Sequence, residues 1–306
     1  MATRLVVGEF SPSVVMAVAR RTGRLDEAGL EVDEVPVESS PAQFRSLLAG
    51  ELDVALTSPD NVLAYRFSPR NPLGQLADVR IVSAVDRGLG LALYGRPGLD
   101  TADRLRGARV GVDVPTSGFA LAMYRLAESL EVGRDEYELV TLGSTPRRLR
   151  ALVAGECDAT MLNAGNELVA EEQGCTSLAT VAEVCSPYLG TVVSIAGEAR
   201  SAEAQALARA LSYAIDDILD GGAADVAAAE AATILDLSPA LARRYVARLR
   251  DPREGLVPHG RVDRDALSTI VELRRHYLPE VVDGADVLAA AGEPRSGLVA
   301  ETPTGV

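Results

Sequence analysis

Polar residues in this chain gather just after short apolar segments, and these are the positions at which its chemistry is sought. Glu9, Phe10 and Ser11 follow the apolar residues 5–8. Ser39 and Ser40 precede one predicted helix, and Thr57, Ser58 and Asn61 end another apolar run. In the second half of the chain the corresponding positions hold Thr116, Ser117, Gly118 and Phe119, then Ser144 and Thr145, then Asn163 and Asn166. Several fall at helix starts, whose unpaired N–H groups and positive dipole end suit an anionic oxygen; helix capping is the plainer use of the same residue types. Glu9 is a carboxylate among neutral groups. It can face a ligand amine or ring nitrogen, pair with Arg87, or point to solvent. In a catalytic setting it is the candidate general acid or base, with the Thr116 and Ser117 N–H groups as oxyanion donors. Phe10 and Tyr188 are candidates for stacking on a planar ligand.

Composition removes other chemistries. All 30 basic residues besides histidine are Arg, so a Schiff-base lysine, a phosphate-loop lysine and a Ser–Lys dyad are excluded. The net charge of −14 argues against nucleic acid or an anionic membrane surface as partner. No cluster of His, Cys and Asp has metal-ligand spacing, and no GxSxG or GxGxxG turn occurs, so neither metal nor cofactor is expected. The two histidines, His259 and His276, lie in the C-terminal quarter; the loop holding His259 is the one that could approach a cleft rim. Cys157, Cys175 and Cys185 leave an odd thiol under any pairing, and free thiols are expected. The N-terminus lacks a secretory signal pattern and no apolar run is long enough to span a membrane. The expectation is therefore a cytoplasmic protein, with a periplasmic or extracellular one as the alternative if a leader has been removed.

What positions these residues is an internal repeat. Residues 40–61, SPAQFRSLLAGELDVALTSPDN, match residues 145–166, TPRRLRALVAGECDATMLNAGN, without gaps at an offset of 105. Identities include Pro41/Pro146, Gly50/Gly155, Glu51/Glu156, Asp53/Asp158 and Asn61/Asn166. Each copy reads as a hydroxyl cap, Pro at the first helical position, a short amphipathic helix closed by Gly, and an apolar strand ending in a polar loop. A weaker match precedes each copy, at residues 5–8 and 109–113. Alternating strands and helices give a mostly parallel sheet flanked by helices, so the chain divides into two such lobes. Residues 79–94 and 188–196 read as the crossing strands, with Gly88 and Gly190 where hinge torsions can be absorbed. Lobe one is expected to comprise residues 1–88 and 194–292, and lobe two residues 89–193. Four Ala-rich helices, over 201–219, 223–235, 239–250 and 264–277, are expected to pack on lobe one. Residues 293–306 show no periodicity and are expected to lack structure.

The segments SLLAGELDVALTSPDNVLA, GVDVPTSGFALA and GSTPRRLRALVAGECDATMLN resemble the type II periplasmic solute-binding proteins, in the branch for sulfonates, taurine, nitrate and thiamine-pyrimidine precursors. The likeness spans about residues 5–280. It implies a Venus-flytrap fold that closes over a small molecule, and a membrane permease as partner if the chain serves transport. The set Glu9, Phe10, Ser11, Ser39, Ser40, Thr57, Ser58, Asn61, Thr116, Ser117, Gly118, Phe119, Ser144, Asn163, Asn166 and Tyr188 would then face the interlobe cleft. The same fold hosts cytoplasmic enzymes of the dehydratase, decarboxylase and lyase type, which is the alternative reading. Two of its activities are disfavoured by residues. The lobe-one His and Cys-rich motif of the pyrimidine synthases are missing, and the desulfinase's first-loop Cys is replaced by Glu9, Ser11 and Ser13.

Overall fold

Short continuous apolar runs such as residues 54–56 suit strands buried on both faces, and serines and glycines mark where the helices between them start and stop. A computed structural model describes residues 2–282 and 284–300. The first half runs β1 (Thr3–Glu9), α1 (Val14–Arg21), α2 (Arg24–Glu27), β2 (Leu30–Pro36), α3 (Ser40–Ala49), β3 (Val54–Thr57), α4 (Pro59–Phe67) and β4 (Val79–Ala84). The second half runs β5 (Ala92–Gly95), β6 (Arg109–Val112), α5 (Gly118–Ser129), β7 (Glu138–Thr141), α6 (Thr145–Ala154), β8 (Ala159–Leu162), α7 (Asn166–Glu172), β9 (Thr176–Thr180) and α8 (Val181–Val184). The chain then returns through β10 (Val192–Ala196) and ends in α9 (Ser201–Asp220), α10 (Ala224–Ile234), α11 (Pro239–Leu249) and α12 (Arg264–Tyr277).

Two five-stranded sheets result, in the orders β2-β1-β3-β10-β4 and β7-β6-β8-β5-β9. The orders are equivalent once β1, β2, β3, β10 and β4 are matched to β6, β7, β8, β5 and β9. In each sheet the one reversed strand is the strand that arrives from the other lobe, β10 or β5. The chain thus has the two-lobed α/β architecture, with helices flanking mostly parallel sheets. The repeated residues do repeated work. Gly50 and Gly155 close α3 and α6 in left-handed conformations, φ 74° and 73°, where a side chain would be strained. Asp53 accepts from the Val6 N–H and Asp158 from the Arg109 N–H, each at 2.8 Å, tying the start of β3 or β8 to the strand beside it.

The crossing between lobes is a three-chain junction. Residues 85–91 and 185–191 lie side by side, through Val85 N–H to Thr191 O (2.8 Å) and Gly190 N–H to Asp86 O (2.9 Å). A third segment joins them, with Arg87 N–H donating to Gly255 O and Leu89 N–H to Glu254 O, both 2.8 Å. Gly190 sits at the closest approach: a Cβ there would lie 2.2 Å from Asp86 Oδ1 and 2.5 Å from the Gly88 nitrogen.

Four sequence expectations are corrected. The α3 cap is Ser39, which accepts from Ala42 N–H, so Ser40 is already helical and Pro41 comes one residue later than expected. The boundary at 193/194 falls inside β10, all of which pairs in the first sheet. Two of the four C-terminal helices do not keep to lobe one: α9 and α10 pack on α1 as expected, whereas α11 packs against α7, and α12 against both α4 and α5. Residues 293–300 are structured. Leu298 O accepts from Ile81 N–H (2.8 Å) and Ala300 N–H donates to Ile81 O (2.7 Å), so the segment pairs with the free edge of β4 and buries Leu298. An unpaired edge supplies the reason, and periodicity does not report it. Residues 301–306 lie outside the described residues. The three cysteines are free and buried.

Candidate functional site

Among the described residues, six helices of eight or more residues are preceded by a capping-position serine; five of them are α1 at Ser13, α3 at Ser39, α4 at Ser58, α5 at Ser117 and α6 at Ser144, and the sixth is α11 at Ser238, away from the cleft. The first five serines line one cavity of about 150 Å³ between the two sheets. The convergence follows from the fold: in a parallel sheet every strand-to-helix turn lies at the same edge, and the two lobes present those edges to each other. At the ~30 Å³ that one liquid water occupies, the cavity suits a ligand of a few heavy atoms. Four of these five hydroxyls accept from their own helix N–H groups, whereas Ser144 makes no capping bond and keeps its hydroxyl uncommitted.

Of the residues expected at the cleft, Glu9, Phe10, Ser11, Ser39, Ser40, Thr57, Ser58, Asn61, Ser117, Gly118, Phe119, Ser144 and Asn163 line this cavity. Three do not. Thr116 faces a neighbouring chamber, and its carbonyl accepts from Arg274 (2.9 Å). The Asn166 amide is turned back on the Asn163 carbonyl (3.0 Å), holding its own loop. Tyr188 is buried in the junction against Gly88 rather than free to stack on a ligand. His259 is exposed and paired with Asp216 at 3.0 Å, away from the cavity.

The cavity also holds residues the sequence reading missed, above all Arg148, with Asp86, Asp113 and Tyr245. Arg148 is 2% exposed, and among the described residues no carboxylate lies within ion-pair distance of it. Its guanidinium instead donates to the Gly143 carbonyl (2.5 Å), the Thr145 hydroxyl (2.9 Å) and the Met161 carbonyl (3.2 Å). Burial holds it below the usual arginine value, yet an arginine stays charged near neutral pH. A signal for it exists. Thr145, Arg148 and Leu152 are spaced three and four apart on the buried stripe of α6, where a surface arginine would not fall.

Glu9 is 6% exposed, and its Oε2 has no hydrogen-bond partner. Burial, reinforced by Glu34 beside it, pushes its carboxyl up to about 9, so it carries a proton at neutral pH. It does not pair with Arg87, which donates to the Leu256 carbonyl. Asp113 accepts from the Ser117 hydroxyl. Asp86 accepts from Gly88 N–H (2.7 Å), and its complete burial raises its carboxyl as well. Apolar walls come from Val14, Leu56, Val85, Leu89 and the Tyr245 ring.

The profile of a family described as the phosphonate ABC transporter periplasmic substrate-binding protein matches residues 24–243. The chain belongs to that family. It is a small-molecule-binding component of the ABC uptake type. Solved structures agree on the fold. The alkanesulfonate-binding protein SsuA from Xanthomonas axonopodis pv. citri, bound to MOPS, superposes with TM-score 0.71 at 16% identity, covering 92% of this chain and 96% of that one. The periplasmic aliphatic sulphonate-binding protein SsuA from Escherichia coli gives 0.68 at 17% identity, over 90% and 87%. A Candida albicans gene product with the generic periplasmic-binding-protein fold gives 0.69 at 16%, over 94% and 93%. No curated protein matches in sequence. No described helix is long and apolar enough to cross a membrane.

Proposed function

We propose that the cleft closes over a small oxyanion carrying a short apolar body, of the phosphonate or sulfonate kind, and delivers it to a membrane permease. The observation that carries this reading is Arg148: a buried cation with no carboxylate in contact with it, Asp113 acting on it only from beyond ion-pair distance, lining a cavity ringed by helix N-termini. A buried charge costs several kcal/mol unless it is compensated, and a bound oxyanion would compensate it while the converging N–H dipoles add to the field. Glu9 favours the same ligand. As a neutral acid it offers a hydrogen bond to an oxygen and adds no negative charge. Holding its proton up to about 9, it is unsuited to act as a base at neutral pH, which leaves the catalytic alternative only a general-acid role for it. The apolar walls account for the body of the ligand.

The family is one of periplasmic proteins, and we assign the chain to that side of the membrane in place of the cytoplasm; fractionation of the native host tests this. For the ligand, thermal-shift and calorimetric titrations with ethylphosphonate and ethanesulfonate, set against the uncharged ethyl methyl sulfone, are decisive. A ligand at a hundred times its Kd stabilises the fold by about 2.7 kcal/mol. Stabilisation by the anions and none by the sulfone is expected. Equal effects of all three, or none, would overturn the assignment.

A further inference from the structure

Beside the cleft lies a second and larger chamber, of about 480 Å³. Ser40, Asn61, Val114 and Ser117 line both spaces, so the two meet at these four residues. The chamber is closed by α12 and the chain that follows it, which contribute Arg274, Tyr277 and Glu280. Two polar atoms in its lining are buried without a well-formed hydrogen bond: the Tyr65 hydroxyl, which has only the Ser40 side chain near it, and Glu280 Oε2. Their residues are 1% and 6% exposed. Orphaned polar atoms of this kind are uncommon, because each costs about 1–3 kcal/mol.

The charges around the chamber are already matched. Arg274 is bound bidentately to Asp60 at 2.7 Å through both contacts. Arg70 lies 3.7 Å from Glu280 Oε2, close enough to balance its charge and too far for a hydrogen bond. A second full charge on a ligand would therefore meet no counter-charge here. What is missing is a hydrogen-bond donor for Glu280 Oε2 and a partner for the Tyr65 hydroxyl.

We propose that this chamber is a second subsite, taking a neutral hydrogen-bonding group such as a hydroxyl on the far end of the molecule whose anionic end occupies the cleft. The inference rests on the cleft reading above. It makes the natural ligand longer than the cleft alone would hold, with a polar terminus separated from the oxyanion by a short carbon chain. Tyr65 is held for this role by its ring, stacked on Phe44 at 4.1 Å between centroids. Glu280 is held by its other oxygen, which accepts from the Ser68 hydroxyl.

The test uses n-alkylphosphonates of two to six carbons and their ω-hydroxy counterparts, titrated calorimetrically into the wild-type protein, Tyr65→Phe and Glu280→Gln. Phe keeps the ring stack, and Gln keeps an acceptor for Ser68. At one chain length the hydroxyl should improve Kd by about fivefold or more, the worth of a well-made hydrogen bond or two. That advantage should fall to within about twofold in either variant. Plain alkylphosphonates that bind with no hydroxyl advantage at any length would overturn the subsite and leave the cleft reading standing. So would an advantage that survives both substitutions, since the hydroxyl would then be bound by other groups. Failure of both series to bind would refute the cleft reading and the subsite with it.

Discussion

Arg148 and Gln43 are counterparts in the two halves of the repeat. Gln43 donates to the Leu56 carbonyl at 3.1 Å, and Arg148 donates to the carbonyl of Met161, the counterpart of Leu56, at 3.2 Å. Both are buried and both hold a strand end against the helix before it. Only Arg148 adds a charge, and only Arg148 lines the cavity. At this position the duplicated frame thus differs by one buried charge, and on the function proposed above that charge makes lobe two the anion-binding side.

Arg148→Gln tests that asymmetry by installing the lobe-one residue. The amide can keep one bond to Met161 O, so the fold should persist, with a melting temperature unchanged or higher now that an unpaired buried charge is gone. Affinity for alkylphosphonates should fall roughly 10–100-fold, the cost of losing a charge-assisted contact. Calorimetry showing unchanged affinity would remove Arg148 from the site.

Buried acids make stability depend on pH: Asp86, whose carboxyl burial raises, and two others. Burial, with Glu34 adding, raises Glu9 to about 9, and burial raises Glu167, with Arg248 opposing, to about 8. Both bind protons more tightly folded than unfolded. Their stabilising contribution is therefore complete below the ordinary value of 4.5 and is lost as pH rises through about 8 and 9. Urea unfolding from pH 5 to 9 should show stability declining. Glu9→Gln should flatten the decline by at least about 2 kcal/mol, leaving the shares due to Glu167 and Asp86. A wild-type protein whose stability rises over this range would contradict both shifts.

The Asp60–Arg274 pair spans the molecule. Asp60 lies in α4 of lobe one, Arg274 in α12, and Arg274 continues to the Thr116 carbonyl of lobe two. Asp60→Asn strands a buried guanidinium and should cost about 3–5 kcal/mol. Arg274→Met combined with Asp60→Asn should cost less than the two single changes added together. Strict additivity in denaturant unfolding would show that the pair does not act as one unit.

Gly118 leaves no room for a side chain. A Cβ there would sit 2.6 Å from Asp60 Cβ, across the interlobe contact. Its backbone is not strained, so the space is what requires glycine. Gly118→Ala should push the lobes apart and weaken ligand binding several-fold, with a smaller effect on the melting temperature. Small-angle scattering of the liganded protein would register the separation, and an unchanged profile with full affinity would rule it out.

The repeat made the architecture legible. Pro41, Gly50, Asp53 and their partners 105 residues on dictate the same helix-turn-strand unit twice, and equivalent units build equivalent sheets. The cleft was legible for the same reason, since strand-end loops in parallel sheets share an edge. Thr116, Asn166 and Tyr188 show where that logic stops. Each sits at a strand or helix end as expected, but Arg274 holds the Thr116 carbonyl, the Asn163 carbonyl takes the Asn166 amide and the junction buries Tyr188, and such competition is decided by tertiary neighbours. Arg148 escaped attention because in a run of arginines only the buried stripe separates it from Arg147 and Arg150. The 293–300 segment escaped because an edge strand recruited late leaves no pattern of its own.

The place of β10 bears on the order in which the chain is made. It lies between β3 and β4, strands that leave the ribosome well before it. All of lobe two is synthesised in the interval, and its sheet draws on no later strand. The nascent chain should therefore complete its second lobe first, while β3 and β4 wait with open edges for the strand that joins them.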